Sequence, residues 1–184
     1  MAKNIEPNLK LISEYLKLKK NENFIIPEYQ RGYTWSITQC DKLWQDLEAF
    51  IASDANDPYF FGTIIVDCSI TDKFSLIDGQ QRTTSFLLLL KALLINLNSV
   101  IKDMPDDEES ESLKAGLIAN RNKIMKIIYK ADDEEIPAML KDTSKTENIL
   151  ILENNSINEL HTDETAKIIS SNDYETAEKN TFKY

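Results

Sequence analysis

Leu76-Ile77-Asp78-Gly79-Gln80-Gln81-Arg82-Thr83-Thr84 joins a strand-like run to the most apolar run in the chain, and its reading decides the fold. Phe74 to Ile77 has the composition of a strand, Asp78-Gly79 ends it, and a helix is expected from about Gln81 to Ile101. Within that helix Phe86 to Leu94 is apolar nearly all round, the mark of a helix covered on several sides. Just upstream, residues 59–67 (Tyr-Phe-Phe-Gly-Thr-Ile-Ile-Val-Asp) read as a strand with a weak point at Gly62. A turn at Thr71-Asp72-Lys73 makes the two strands a hairpin.

Working outward, a second polar signature lies at Ile26-Pro27-Glu28-Tyr29-Gln30-Arg31-Gly32-Tyr33-Thr34-Trp35. It follows a short strand, Phe24-Ile25-Ile26, that Pro27 places at an edge or strand end. Leu9, Ile12 and Leu16 recur at helical spacing and predict a helix over 8–20. Ser36 with Gln39 forms a capping-box pattern, opening a helix with Ile37, Cys40, Leu43, Trp44, Leu47 and Ile51 on one face. Beyond residue 102 come an acidic loop at 103–110, a helix from Leu113 to about Tyr129 and a second acidic loop at 132–135. A strand at 148–153 and thinly apolar helical pieces at 164–170 and 173–184 follow. The expected class is α+β, a small mixed sheet with a central buried helix. Residues 1–102 form its core, and 103–184 a mainly helical extension of the same domain. The last periodic run stops at Phe182-Lys183-Tyr184 without a stop signal, so a longer parent protein is expected.

The 184 residues suffice for one packed domain, and 42% hydrophobic with 28% charged side chains excludes a disordered chain. The stretch Phe86–Leu97 is broken by Lys91 and Asn96 and reads as too short to span a bilayer. No apolar leader follows Met1, so a cytoplasmic protein without membrane contact is expected. Cys40 and Cys68 lack CxxC or Cys/His spacing and read as buried reduced thiols, with no zinc. The net charge of −10 is uneven: ten basic and twelve acidic side chains fall in residues 1–100, leaving eleven and nineteen for the rest. That balance argues against broad, non-specific DNA binding but leaves room for a local anion site.

Only three arginines occur, and two of them, Arg31 and Arg82, follow a Gln in the two signatures. Arginine presents a planar fork suited to phosphate or carboxylate. A strand that feeds through Gly79 into a helix start offers unpaired backbone N–H groups and a partial positive charge, a seat for phosphate. Gly79 admits close approach, Gln80 and Gln81 donate and accept, Arg82 can clamp an anion, and Thr83 and Thr84 add hydroxyls. Asp78 is the candidate to hold a divalent metal or orient a water. The Gly-x-x-x-x-Gly-Lys-Ser/Thr pattern is absent, so this is not a Walker A loop. In the other signature, Tyr29, Tyr33 and Trp35 interleaved with Gln30 and Arg31 suit stacking on bases and contact with phosphates. The plainer alternatives stay open at both places: an Asp-Gly turn with Arg82 pinning the helix, and aromatics packing between strand and helix.

The order Pro-x-Tyr-Gln-Arg-x-Tyr-x-Trp, Tyr-Phe-x-Gly-x-Ile, Ile-Asp-Gly-Gln-Gln-Arg-x-Thr-Thr resembles the N-terminal domain of the GmrSD-type restriction family. It covers roughly residues 8–101, with a looser likeness over 102–184. The resemblance implies a ParB/sulfiredoxin-like core in which Asp78 to Arg82 bind and hydrolyse a nucleoside triphosphate with Mg²⁺. Asp78, Gln80, Gln81 and Arg82 would be catalytic, Asp78 the metal ligand, and Gly79, Thr83, Thr84 and Arg31 would contact phosphate. In relatives that sense modified DNA the region matching Tyr29, Gln30 and Arg31 contributes to recognition. Cleavage in the family belongs to a C-terminal His-Asn-His nuclease domain. The one histidine here, His161, reads as a surface residue, so nuclease activity is not expected of these residues. The implied function is a nucleotide-hydrolysing sensor domain of a modification-dependent, phage-defence restriction protein. The alternatives are a non-catalytic nucleotide switch or a modified-DNA-binding module.

Overall fold

Four strands form one mixed sheet in a computed structural model that describes residues 5–53, 57–146, 149–155, 165, 168 and 169. The elements run α1 (Ile12–Tyr15), β1 (Asn23–Ile26), α2 (Ile37–Ala52), β2 (Ile65–Ile70), β3 (Lys73–Asp78), α3 (Gln80–Asp103), α4 (Glu108–Ile128), α5 (Ile136–Lys141), a 3₁₀ turn (Thr143–Thr146) and β4 (Leu152–Asn154). The class is α+β, as expected. The sheet order is β2-β3-β1-β4. β1 runs parallel to β3, with Phe24 opposite Phe74, and parallel to β4, with Phe24 opposite Leu152. β2 and β3 form the expected antiparallel hairpin around Asp72, whose φ of 64° makes the turn.

This order brings both signatures to one end of the sheet. The loop after β1, the start of β2, the end of β3 and the end of β4 all lie there. Behind it the core gathers Leu16, Phe24, Leu76 and Leu87 with Met125, Ile128, Ile151 and Ile169, so it draws on residues from both sides of position 102. Burying a side chain of this size contributes about 1.5–3 kcal/mol. α3 packs along α4 over this core. By length and composition alone this 24-residue helix could cross a bilayer, which the stretch 86–97 did not suggest. Its buried Gln80, Gln81, Ser85 and Lys91, all four bonded to distant segments, mark it as a helix packed inside a fold. Its cover is incomplete, with Leu93 and Val100 exposed.

Several boundaries differ from expectation for physical reasons. The helix predicted over 8–20 is a single turn, because Leu9 and Leu11 face solvent and only Leu16 is fully buried. The strand predicted over 59–67 begins at Ile65 instead. Gly62, at φ 104°, breaks the extended backbone ahead of it. α4 begins inside the acidic stretch: Asp107 accepts from the Ser110 N–H at 2.8 Å, and Glu108, Glu109 and Glu111 suit the positive helix start. α5 went unforeseen, and β4 is shorter and later than the strand placed at 148–153. Cys40 is half-buried and Cys68 exposed on edge strand β2, so the reading of two buried thiols is corrected. His161, most of the helical piece at 164–170 and all of that at 173–184 lie outside the described residues.

Candidate functional site

The loop after β1 turns at once: Pro27 offers no N–H to continue the ladder, and its carbonyl accepts from the Gln30 N–H at 3.0 Å. This delivers Gln30 to the end of β3, where its Nε2 donates to the Ile77 carbonyl at 2.8 Å. From the start of α3, Gln80 Nε2 reaches back to Gln30 Oε1 and to the Arg31 carbonyl, both at 3.1 Å. Gln81 clamps the next residues: its Nε2 donates to the Gly32 carbonyl at 3.0 Å and its Oε1 accepts the Thr34 N–H at 2.8 Å. Tyr33 and Ser85 share a hydroxyl hydrogen bond at 2.8 Å. The two signatures are therefore one polar seam, and three glutamines close it.

The helix start is shaped around Gly79, whose φ is 85°. A Cβ there would lie 2.8 Å from Ile64 Cγ1, so this position needs glycine for both conformation and space. Thr83 donates from its hydroxyl to the Gly79 carbonyl at 3.1 Å and meets the Tyr15 hydroxyl at 2.9 Å. Thr84 is buried beside it. Burial pushes the Tyr15 and Tyr33 hydroxyls well above the usual phenol range. Arg82 donates from Nη1 to the Thr63 carbonyl, with Gly62 pressed so close that a Cβ would meet the guanidinium at 2.8 Å. One of its five N–H donors is thus used on the loop ahead of β2, and four remain. An aromatic chain of Phe50, Tyr59, Phe61 and Phe86 carries the same loop between α2 and α3, the last pair meeting edge-on at 3.9 Å.

Three groups at this end are unspent. The Asp78 side chain, at the end of β3, and the Arg31 side chain, in the loop after the neighbouring β1, are exposed and without a partner among the described residues. Gln80 is only 6% exposed, yet its Oε1 is the one buried side-chain polar atom among the described residues with no hydrogen-bond partner. The first N–H groups of α3 have no intrahelical acceptor. Tyr29, 70% exposed, stands on the same loop as Arg31, whereas both ends of the Gln30 amide are engaged. All the residues singled out in the two signatures thus lie at one end of the sheet. Tyr15, Gly62, Thr63 and Ser85, which hold the seam in place, were missed; of these only the Gly62 break in a strand-like run carried a signal.

No curated protein matches the chain at a meaningful level of similarity. A family model described as "GmrSD restriction endonuclease, N-terminal domain" matches residues 12–183, so the match takes in the extension beyond residue 102 as well as the two signatures. A match of that extent settles the family: the chain belongs to the N-terminal domains of GmrSD restriction endonucleases.

Proposed function

We propose that the junction of β3 and α3 binds a nucleoside triphosphate with Mg²⁺ and hydrolyses it. The domain would act as the nucleotide-dependent sensor of a modification-dependent restriction protein. The observation that carries this reading is the buried Gln80 Oε1, left without a donor among the described residues at the start of α3. An orphaned acceptor of this kind costs about 1–3 kcal/mol, a cost that a bound ligand or its water would remove. The α3 N–H groups would face the phosphates, Arg82 would offset charge with its unspent donors, and Arg31 would approach from the β1 loop. Thr83 and Thr84 support the helix start, and Gln81 holds the Arg31 loop in place.

The residues present fit a magnesium ion. Asp78 is an exposed carboxylate without a partner among the described residues, and Mg²⁺ is commonly held by one or two carboxylates together with substrate phosphates. The ion would supply charge neutralisation to the phosphates. In the reaction, water adds to the γ-phosphorus, the bond to the bridging oxygen breaks, and nucleoside diphosphate and phosphate leave. Asp78 and Gln80 would orient the attacking water.

Ligand-induced stabilisation tests the binding half of this reading. At a hundred times its Kd, a nucleotide raises stability by about 2.7 kcal/mol. Melting should shift upward with at least one of the four Mg²⁺-ribonucleoside triphosphates and shift less in Asp78→Ala. No shift with any of them would overturn it. Tyr29 and Arg31, exposed together, favour a second reading in which this loop contacts modified DNA. Salt-sensitive binding to modified but not plain duplex would support that, and equal binding to both would count against it.

A further inference from the structure

The third arginine, Arg121, belongs to neither signature and stands on α4. It borders a cavity of about 410 Å³ between the C-terminal half of α3, α4 and α5. The floor is apolar and buried: Leu94, Ile101, Met125 and Met139. One wall is polar and fixed, because the Tyr129 hydroxyl accepts from Lys91 Nζ at 2.5 Å and bonds to Thr146. At the rim stand Arg121, Lys102 and Asn98. Among the described residues no carboxylate lines the cavity, in a chain whose net charge is −10.

Arg121 is half-buried, and its polar contact among the described residues is the neighbouring Asn122 Oδ1, at 3.2 and 3.3 Å. Its neighbours three and four positions away on α4 are Leu117, Ile118, Ile124 and Met125, so no helical ion pair can form. Lys102 likewise pairs with no carboxylate among the described residues. Burial without a counter-charge lowers the Arg121 pKa, the opposite of what a paired arginine shows. A half-desolvated guanidinium is costly unless something anionic meets it.

We propose that this cavity binds a small organic anion: an apolar, aromatic-sized body on the Leu94–Met125–Met139 floor and one anionic head group held by Arg121 and Lys102. The volume lies in the range of small-molecule pockets, and methionine thioethers pack well against aromatic rings. The site is separate from the β3–α3 junction and does not depend on it.

The test uses 8-anilinonaphthalene-1-sulfonate, an aromatic body with one anionic group, followed by fluorescence and by backbone amide shifts. Saturable binding with shifts centred on Leu94, Asn98, Ile101 and Met125 is expected. Arg121→Met and Lys102→Met should each weaken it about tenfold, the loss of one charge-assisted contact. Lys102 is exposed, so its variant decides the matter even where Arg121→Met melts without cooperativity. Competition by phenyl phosphate against benzoate then reports the preferred head group. Shifts confined to Gln80–Thr84 or to the α2 face, no saturable binding, or an affinity unchanged in Lys102→Met would overturn the proposal.

Discussion

Replacing Gln81 by Ala removes the two hydrogen bonds by which this side chain holds the loop after β1, the ones to Gly32 and Thr34. Each is a neutral bond with a net value of about 0.5–1.5 kcal/mol. Thr34 is exposed and Gly32 half-buried, so water can reach the freed groups, and the lower half of that range applies. The side chain is 9% exposed, and losing its packed methylene adds about 1 kcal/mol. The expected destabilisation is therefore about 2–3 kcal/mol, a fall in Tm of about 4–12 °C for a domain of this size. Urea unfolding measures the total, and hydrogen exchange at the Thr34 amide measures the clamp itself. In the variant that amide should lose protection while those of Phe24 and Leu76 keep theirs relative to the global stability. Equal Thr34 exchange in both proteins would refute the clamp, as would a destabilisation below about 0.5 kcal/mol.

Two glycine substitutions should act in opposite directions. Gly79→Ala combines a left-handed backbone with a contact against Ile64 and should cost about 2–4 kcal/mol. Gly116→Ala, in α4 with open space around it, should gain about 0.5–1 kcal/mol; thermal melts of both decide. Lys130 is buried at φ 50° because its ammonium holds the Glu22 and Leu150 carbonyls and Asn23 Oδ1. Lys130→Met should cost about 3 kcal/mol in urea unfolding and loosen β1 from β4.

Stability should also depend on pH through Lys91, whose ammonium burial pushes down to about 8. Between that value and the ordinary lysine range near 10.4, the unfolded chain binds the extra proton. Stability should therefore rise with pH there, by no more than about 1.4 kcal/mol per unit, and Lys91→Met should flatten the slope. Above about pH 10 the sign reverses. Tyr15, Tyr33 and Tyr129 (the last raised to about 12) resist ionisation in the fold but ionise when unfolded.

The strand–glycine–helix junction was legible because three independent signals coincide there: an apolar run, an Asp-Gly break and a second apolar run of helical length. The convergence of the two signatures was legible from their shared Gln-Arg ending, but the reason for it was not. Which carbonyl a glutamine reaches depends on the parallel pairing of β1 with β3, and pairing between strands nearly fifty residues apart leaves no local trace. The acidic stretches misled for the opposite reason. Asp107–Glu109 read as solvated loop, yet acidic groups are what a helix start favours. Tyr15 ends a single helical turn to meet Thr83, a contact set by tertiary packing alone.

Phosphate release from the four ribonucleoside triphosphates with Mg²⁺ tests nucleotide hydrolysis at the β3–α3 junction, with wild type beside Asp78→Ala and Arg82→Ala. Cooperative melting should first be verified in both variants, since Arg82 also holds the Thr63 loop. Turnover of at least one nucleotide by the wild type and its loss in both folded variants are expected. Absence of release from the wild type, or unchanged release in the folded variants, would contradict hydrolysis at this junction.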